Sequence, residues 1–157
     1  MASQHQRVGY APGAFDLFHI GHLNILRHAR SKCDYLIAGV VSDEMLREVK
    51  GIEPVIPLVE RLEIIRSLKF VDEAVVEPVP DKLDMWRMLR FNVLFKGDDW
   101  KDTVKGIQLE NEFEMVGVDI EYFPYTVSTS STKLRSALDA ITRSSAPTDA
   151  PSDFSRS

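Results

Sequence analysis

Apolar positions along the chain keep two rhythms. Short, largely apolar runs at residues 8–11, 35–41, 73–76, 93–96 and 119–123 fit strands, and the run at 35–41 is continuous enough to be covered on both faces. Between the runs, apolar residues recur three and four apart, as in Leu23, Leu26 and Ala29, and again in Leu58, Leu62, Ile65 and Leu68. That is helical spacing, and it predicts helices at 20–31, 43–48, 58–69, 82–90 and 132–140. Strands that alternate with helices form right-handed crossovers and pair in parallel. The predicted class is therefore α/β: a Rossmann-like, doubly wound, five-stranded parallel sheet in a single domain at 7–142. Residues 1–6 are expected to be a flexible start. Residues 143–157, rich in Ser, Pro, Asp, Ala and Thr, are expected to be a disordered tail.

Composition narrows the function classes. A chain of 157 residues can bury one real core. Net charge is −5, from 24 acids against 19 bases, which argues against general binding to nucleic acid or to an anionic membrane. Any site for a polyphosphate must then be a local cluster of bases. The polar start lacks the apolar stretch of a signal peptide, and no segment is long enough for a membrane span, so a cytoplasmic protein is expected. The single Cys33 has no disulfide partner and no metal-ligand spacing, and reads as a half-buried thiol.

Doubly wound sheets bind ligands at the carboxyl ends of their strands, which is where the chemistry collects here. The first strand runs into Gly13-Ala14-Phe15-Asp16-Leu17-Phe18-His19-Ile20-Gly21-His22 just before a helix. Free N–H groups and the positive dipole end at a helix start attract anions, and His19 and His22 add donors there. Two histidines three apart also fit surface, core or metal-ligand roles; their place between strand and helix favours the anion. Arg61 lies inside the apolar stripe of the 58–69 helix. An inward arginine must meet an anion, either a carboxylate such as Glu60 or Asp72 or a ligand phosphate. Lys50, beside Gly51, leads from a loop into that helix. Asp98-Asp99-Trp100 follows the fourth strand, where acids can bind ribose hydroxyls, hold Mg²⁺ or cap a helix, and where Trp100 can stack on a base or close the core. The hydroxyl-rich run from Thr126 to Thr132 precedes the last helix and offers a second polyphosphate seat.

Taken in order, Gly-x-Phe-Asp-x-x-His-x-Gly-His, the Lys-Gly loop, Glu-Arg at a helix start, Val-Asp-Glu, Gly-Asp-Asp-Trp and the Ser/Thr-rich last helix resemble the cytidylyltransferases over roughly residues 7 to 140. Among these the glycerol-3-phosphate group is most similar, with choline- and ethanolamine-phosphate enzymes as cousins. The resemblance implies transfer of CMP from CTP to a small phospho-alcohol, with Mg²⁺ on the triphosphate and a homodimer as the assembly. It implies that Ala14 and Phe15 meet the nucleotide through backbone, and that His19, His22, Lys50 and Arg61 stabilise charge on the phosphates. Asp99 and Trp100 would line the nucleoside pocket, Tyr125, Thr126, Ser130, Ser131 and Thr132 would surround the outer phosphates, and Lys50 and Lys82 would reach the acceptor. The pattern departs from the family where Tyr125 and Ser128 stand for an arginine and a glycine, and where Lys69 stands for another arginine; Arg66 and Arg135 are candidate replacements. Two other expectations remain open: an adenylyltransferase of the same superfamily using ATP, and a nucleotide-binding regulatory protein without turnover.

Overall fold

A computed structural model describes residues 6–124 and 130–145. Five strands form one sheet: β1 (Val8–Gly13), β2 (Tyr35–Val41), β3 (Glu73–Glu77), β4 (Val93–Gly97) and β5 (Asp119–Phe123). Their order is β3-β2-β1-β4-β5 and every pair is parallel, as the alternating pattern predicts. Six helices connect them: α1 (Ile20–Ser31), α2 (Asp43–Lys50), α3 (Leu58–Arg66), α4 (Lys82–Leu89), α5 (Val104–Glu114) and α6 (Ser131–Ser145).

Alternate residues of the central strands feed two cores. Ala11, Leu36, Ala38, Val93 and Phe95 pack with Leu26 and Ala29 of α1 and Ile65 of α3. Their neighbours Tyr10, Ile37 and Leu94 face the other way, onto Met85 of α4 and Leu109 and Phe113 of α5. Both faces are therefore covered, which is what continuous apolar strands require.

The sheet order reverses at β1. There β1 pairs with β4 only through Gly9–Val93 and Tyr10–Leu94, so their carboxyl ends are not laddered together. A crevice at this switch point is the expected ligand position.

The elements differ from the sequence expectations in two helical segments, two helix ends and the place of Lys50. The sequence pattern does not predict α5, nor the short 3₁₀ turn Asp98–Trp100 before it. Helix α3 ends at Arg66 instead of residue 69, and α6 continues to Ser145, past the expected start of the tail. Lys50 is not in a loop but closes α2, whose last carbonyls accept from Gly51 and Ile52 with Gly51 at φ 62°. Glycine takes that left-handed cap without the clash a Cβ brings. Cys33 is buried, and its thiol bonds Ala29 O at 3.3 Å. Among the described residues no helix is long and apolar enough to cross a membrane.

Candidate functional site

His19 is the N-cap of α1. Its Nδ1 accepts from Gly21 N at 2.9 Å, while Nδ1 of His22 accepts from His19 N at 3.2 Å. This reciprocal cap has a chemical consequence: with Nδ1 accepting, each neutral ring carries its proton on Nε2. Both histidines are thus set as Nε2–H donors at a helix N-terminus, their ring centroids 4.0 Å apart. Nε2 of His22 lies 3.4 Å from Ser131 Oγ. Burial pushes the His22 pKa down to about 4, helped by the His19 ring and only partly opposed by Asp16. Burial also lowers His19. Near neutral pH both rings are uncharged donors.

A cavity of about 490 Å³ opens over this helix end, lined by Ala14, His19, His22, Lys50, Asp99, Ser130, Ser131, Thr132 and Arg135. The structure brings these sequence-selected residues together. Tyr125 and Thr126 lie outside the described residues. Phe15 does not line the cavity; its side chain is buried in the core, edge-on to His22 at 5.6 Å.

Asp16 holds the assembly in place, a role its sequence position did not disclose. Fully buried, it accepts from Val55 N at 2.9 Å, Ile56 N at 2.8 Å and Arg135 Nη2 at 2.7 Å, and its own carbonyl accepts from Ser131 Oγ at 2.7 Å. Burial alone would raise its pKa; the N–H groups of Val55 and Ile56 and the Arg135 guanidinium outweigh it and hold the carboxyl below its ordinary value. Phe15 and Leu17 on either side take left-handed φ values of 52° and 53°. Such backbone costs roughly 1–2 kcal/mol per residue, so the bonds to Asp16 secure an otherwise unfavourable loop. The one available signal was an acid set in the apolar run Phe15-Asp16-Leu17-Phe18.

Arg61 is corrected. Its side chain is buried, and its donors go to Ile56 O (2.8 Å), Ala14 O (2.7 Å), Val41 O (2.7 Å) and Asp43 Oδ1 (2.6 Å). It lines neither cavity of the site. The guanidinium is a tie between the ends of β1 and β2 and the loop before α3, not a clamp on ligand phosphate. The carboxylate it meets is neither Glu60 nor Asp72; Asp72 pairs with Arg30 at 2.9 Å.

A second cavity of about 340 Å³ lies on the other side of Lys50, over the carboxyl ends of β3 and β4. Lys82, Lys96 and Trp100 line it, with Glu77 at its floor. Glu77 is fully buried and accepts from Tyr10 Oη at 2.9 Å and Lys82 Nζ at 2.7 Å. Burial, then the charge of Glu77, drives the Tyr10 pKa far up, so the phenol stays protonated. A Cβ at Gly39 would collide with that hydroxyl, which is why the neighbouring strand is bare there. Lys96 Nζ lies 3.8 Å from the centroid of the Trp100 ring. Burial, then Lys82 and Lys50, pushes its pKa down to about 8. Lys50 is lowered by desolvation and then by Lys82.

Asp99 and Trp100 therefore part company. Successive residues of a 3₁₀ turn point about a third of a turn apart, so Asp99 joins the His19 cavity while Trp100 joins the Lys82 cavity. Sequence reading missed Lys96, although a lysine ending the apolar run Val93-Leu94-Phe95 at a carboxyl end was a usable signal.

Comparison with known proteins agrees with this geometry. A family model described as cytidylyltransferase-like matches residues 10–137. The bifunctional protein HldE of Acidiphilium cryptum is 40% identical over 102 residues, 64% of this chain and 21% of that protein. The ethanolamine-phosphate cytidylyltransferase of Dictyostelium discoideum is 42% identical over 95 residues, 59% of this chain and 26% of that one. This chain thus spans about a quarter of the length of these two relatives. An FAD synthase of Thermococcus sibiricus is 28% identical over 82% of this chain and 88% of its own length. Among solved structures, a lipopolysaccharide core biosynthesis protein from Thermoplasma volcanium superposes with a TM-score of 0.66 at 22% identity, covering 79% of this chain and 99% of that one, a likeness of fold. With a match that runs from within β1 through the histidine-capped helix to the middle of α6, the chain belongs to the cytidylyltransferase-like family.

Proposed function

We propose that the chain transfers CMP from CTP to a small phosphorylated alcohol, glycerol 3-phosphate or a near relative, releasing pyrophosphate. The observation that carries this reading is Lys50: it lines both cavities, the one over the histidine-capped helix and the one holding Lys82 and Lys96. A triphosphate in the first cavity and an acceptor phosphate in the second would meet at this ammonium, where attack on the α-phosphorus needs charge neutralisation and in-line placement.

Each group has a task in that reaction. The Nε2–H donors of His19 and His22 bond α-phosphate oxygens and strengthen as charge grows on them. The hydroxyls of Ser130 and Thr132, together with Arg135, hold the outer phosphates. Arg135 brings the positive charge absent at Tyr125. Mg²⁺ enters with the triphosphate as part of that substrate. Such an ion keeps several waters and binds through substrate phosphates with one or two carboxylates at most.

Pyrophosphate release with CTP or ATP, across glycerol 3-phosphate, phosphoethanolamine, phosphocholine and sugar phosphates, tests the reading. His19→Ala should lower turnover by about 10²–10³-fold, the size of losing one preorganised donor. Wild-type turnover in that variant would remove the assigned role. The FAD synthase relative, matched over 88% of its length, favours an adenylyl transfer as the second reading. Stabilisation of the fold by ATP and not by CTP would select it. Tight nucleotide binding without turnover of any acceptor would instead make the protein a binding module.

A further inference from the structure

The second cavity contains a cation that the proposed reaction has not yet used. Lys96 sits next to the last residue of β4 with its ammonium 3.8 Å from the Trp100 ring centroid, and that ammonium forms no hydrogen bond or ion pair with a described residue. Lys50, Lys82 and Lys105 line the same cavity. Of the acids there, Glu77 is taken up by Tyr10 and Lys82, and Asp81 accepts from Leu83 N at 2.9 Å as the cap of α4. Among the described residues the side chains of Glu112 and Gln108, on the wall formed by α5, have no such engagement.

We propose that Lys96 sets acceptor specificity: with Lys50 and Lys82 it seats the acceptor's phosphate, and by covering Trp100 it excludes acceptors whose other end is a quaternary ammonium. The inference rests on the transferase reading above and deepens it. A quaternary ammonium has no N–H to donate and is held best by an open aromatic face. The aromatic face in this cavity is already covered by the protein's own cation, and the cavity holds four lysines against three acids. An incoming quaternary ammonium finds the ring already covered, whereas an uncharged polyol end finds Gln108 and Glu112 as hydrogen-bond partners. The occupant is therefore a phosphorylated polyol.

Calorimetric titration without nucleotide separates this from the reaction itself. Wild-type protein should bind glycerol 3-phosphate at least tenfold more tightly than phosphocholine. Lys96→Met should weaken glycerol 3-phosphate by about tenfold, the loss expected of one charge-assisted hydrogen bond, and improve phosphocholine by uncovering Trp100. Lys96→Arg, which keeps a cation over the ring, should retain the wild-type preference, and CTP affinity should be unchanged in both variants. Equal binding of the two acceptor classes by wild type, binding of neither, or an unaltered preference in Lys96→Met overturns the proposal. Absence of pyrophosphate release with every acceptor, while the binding preference holds, overturns the transferase reading and leaves this one standing.

Discussion

At the scale of single residues, the site uses buried polar groups in two different ways. Arg61 has its donors turned inward, to three carbonyls and Asp43, and removing it strands all of them. Arg61→Ala should therefore destabilise the fold by about 3–5 kcal/mol in urea unfolding, the penalty of breaking a buried pair. Arg61→Lys should not restore it, since one ammonium cannot span four acceptors held by a planar fork. A phosphate clamp would behave oppositely, leaving stability unchanged and activity lost. His22 makes a pH-dependent contribution. In the unfolded chain its pKa is the ordinary 6.5, and in the fold it is about 4, so below pH 6.5 the unfolded state takes up a proton that the folded state refuses. Its stabilising contribution is full above pH 6.5 and declines as pH falls toward 4, by roughly 3 kcal/mol in all. Urea midpoints of wild type and His22→Gln at pH 7 and pH 4.5 check this: the drop should be smaller in the variant.

At the scale of elements, α6 is seated on the active loop by Asp16. Ser131 and Arg135 both reach back to that residue, more than a hundred positions earlier in the chain. Asp16→Asn keeps the shape but removes the charge that Arg135 meets and one acceptor for the amides of Val55 and Ile56. Hydrogen exchange in α6 should then speed up by tenfold or more while the central strands stay protected, because local opening draws on few contacts. Unchanged α6 protection would show that the helix is held elsewhere. This dependence also explains what the sequence pattern could and could not disclose. The five strands and α1 carry clear apolar rhythms, so the sheet and the histidine-capped helix were legible. In α5 only Gly106, Leu109 and Phe113 are buried, while Val104 and Ile107 point outward, which blurs the stripe that would mark a helix. Inward placement of Arg61 was legible from its position in a stripe, but its acceptors are mostly backbone carbonyls, and no side-chain pattern announces those. The divergence of Asp99 and Trp100 likewise depends on a 3₁₀ turn of three residues, too short to leave a period.

At the scale of the whole molecule, a chain of net charge −5 gathers Lys50, Lys82, Lys96 and Lys105 around a cavity at the carboxyl ends of the strands, where the sheet order reverses. Two cavities meet at Lys50, the lining residue they have in common, whose ammonium is their shared wall. Two anionic ligands bound side by side repel each other, and a cation between them lowers that repulsion in proportion to how little water intervenes. Lys50 forms no hydrogen bond through its ammonium with a described residue, and its charge is already disfavoured by desolvation and by Lys82. Filling either cavity with an anion relieves that strain, so the first ligand prepares the lysine for the second. With a non-hydrolysable CTP analogue present, wild-type protein should bind glycerol 3-phosphate with little loss of affinity. In Lys50→Met the same analogue should weaken the acceptor about fivefold or more, the lower end of ordinary coupling between sites, and thermal stability without ligands should hardly move. Equal coupling in the two proteins would mean that the cavities do not communicate through this residue, and the shared-wall account of the reaction would fall with it.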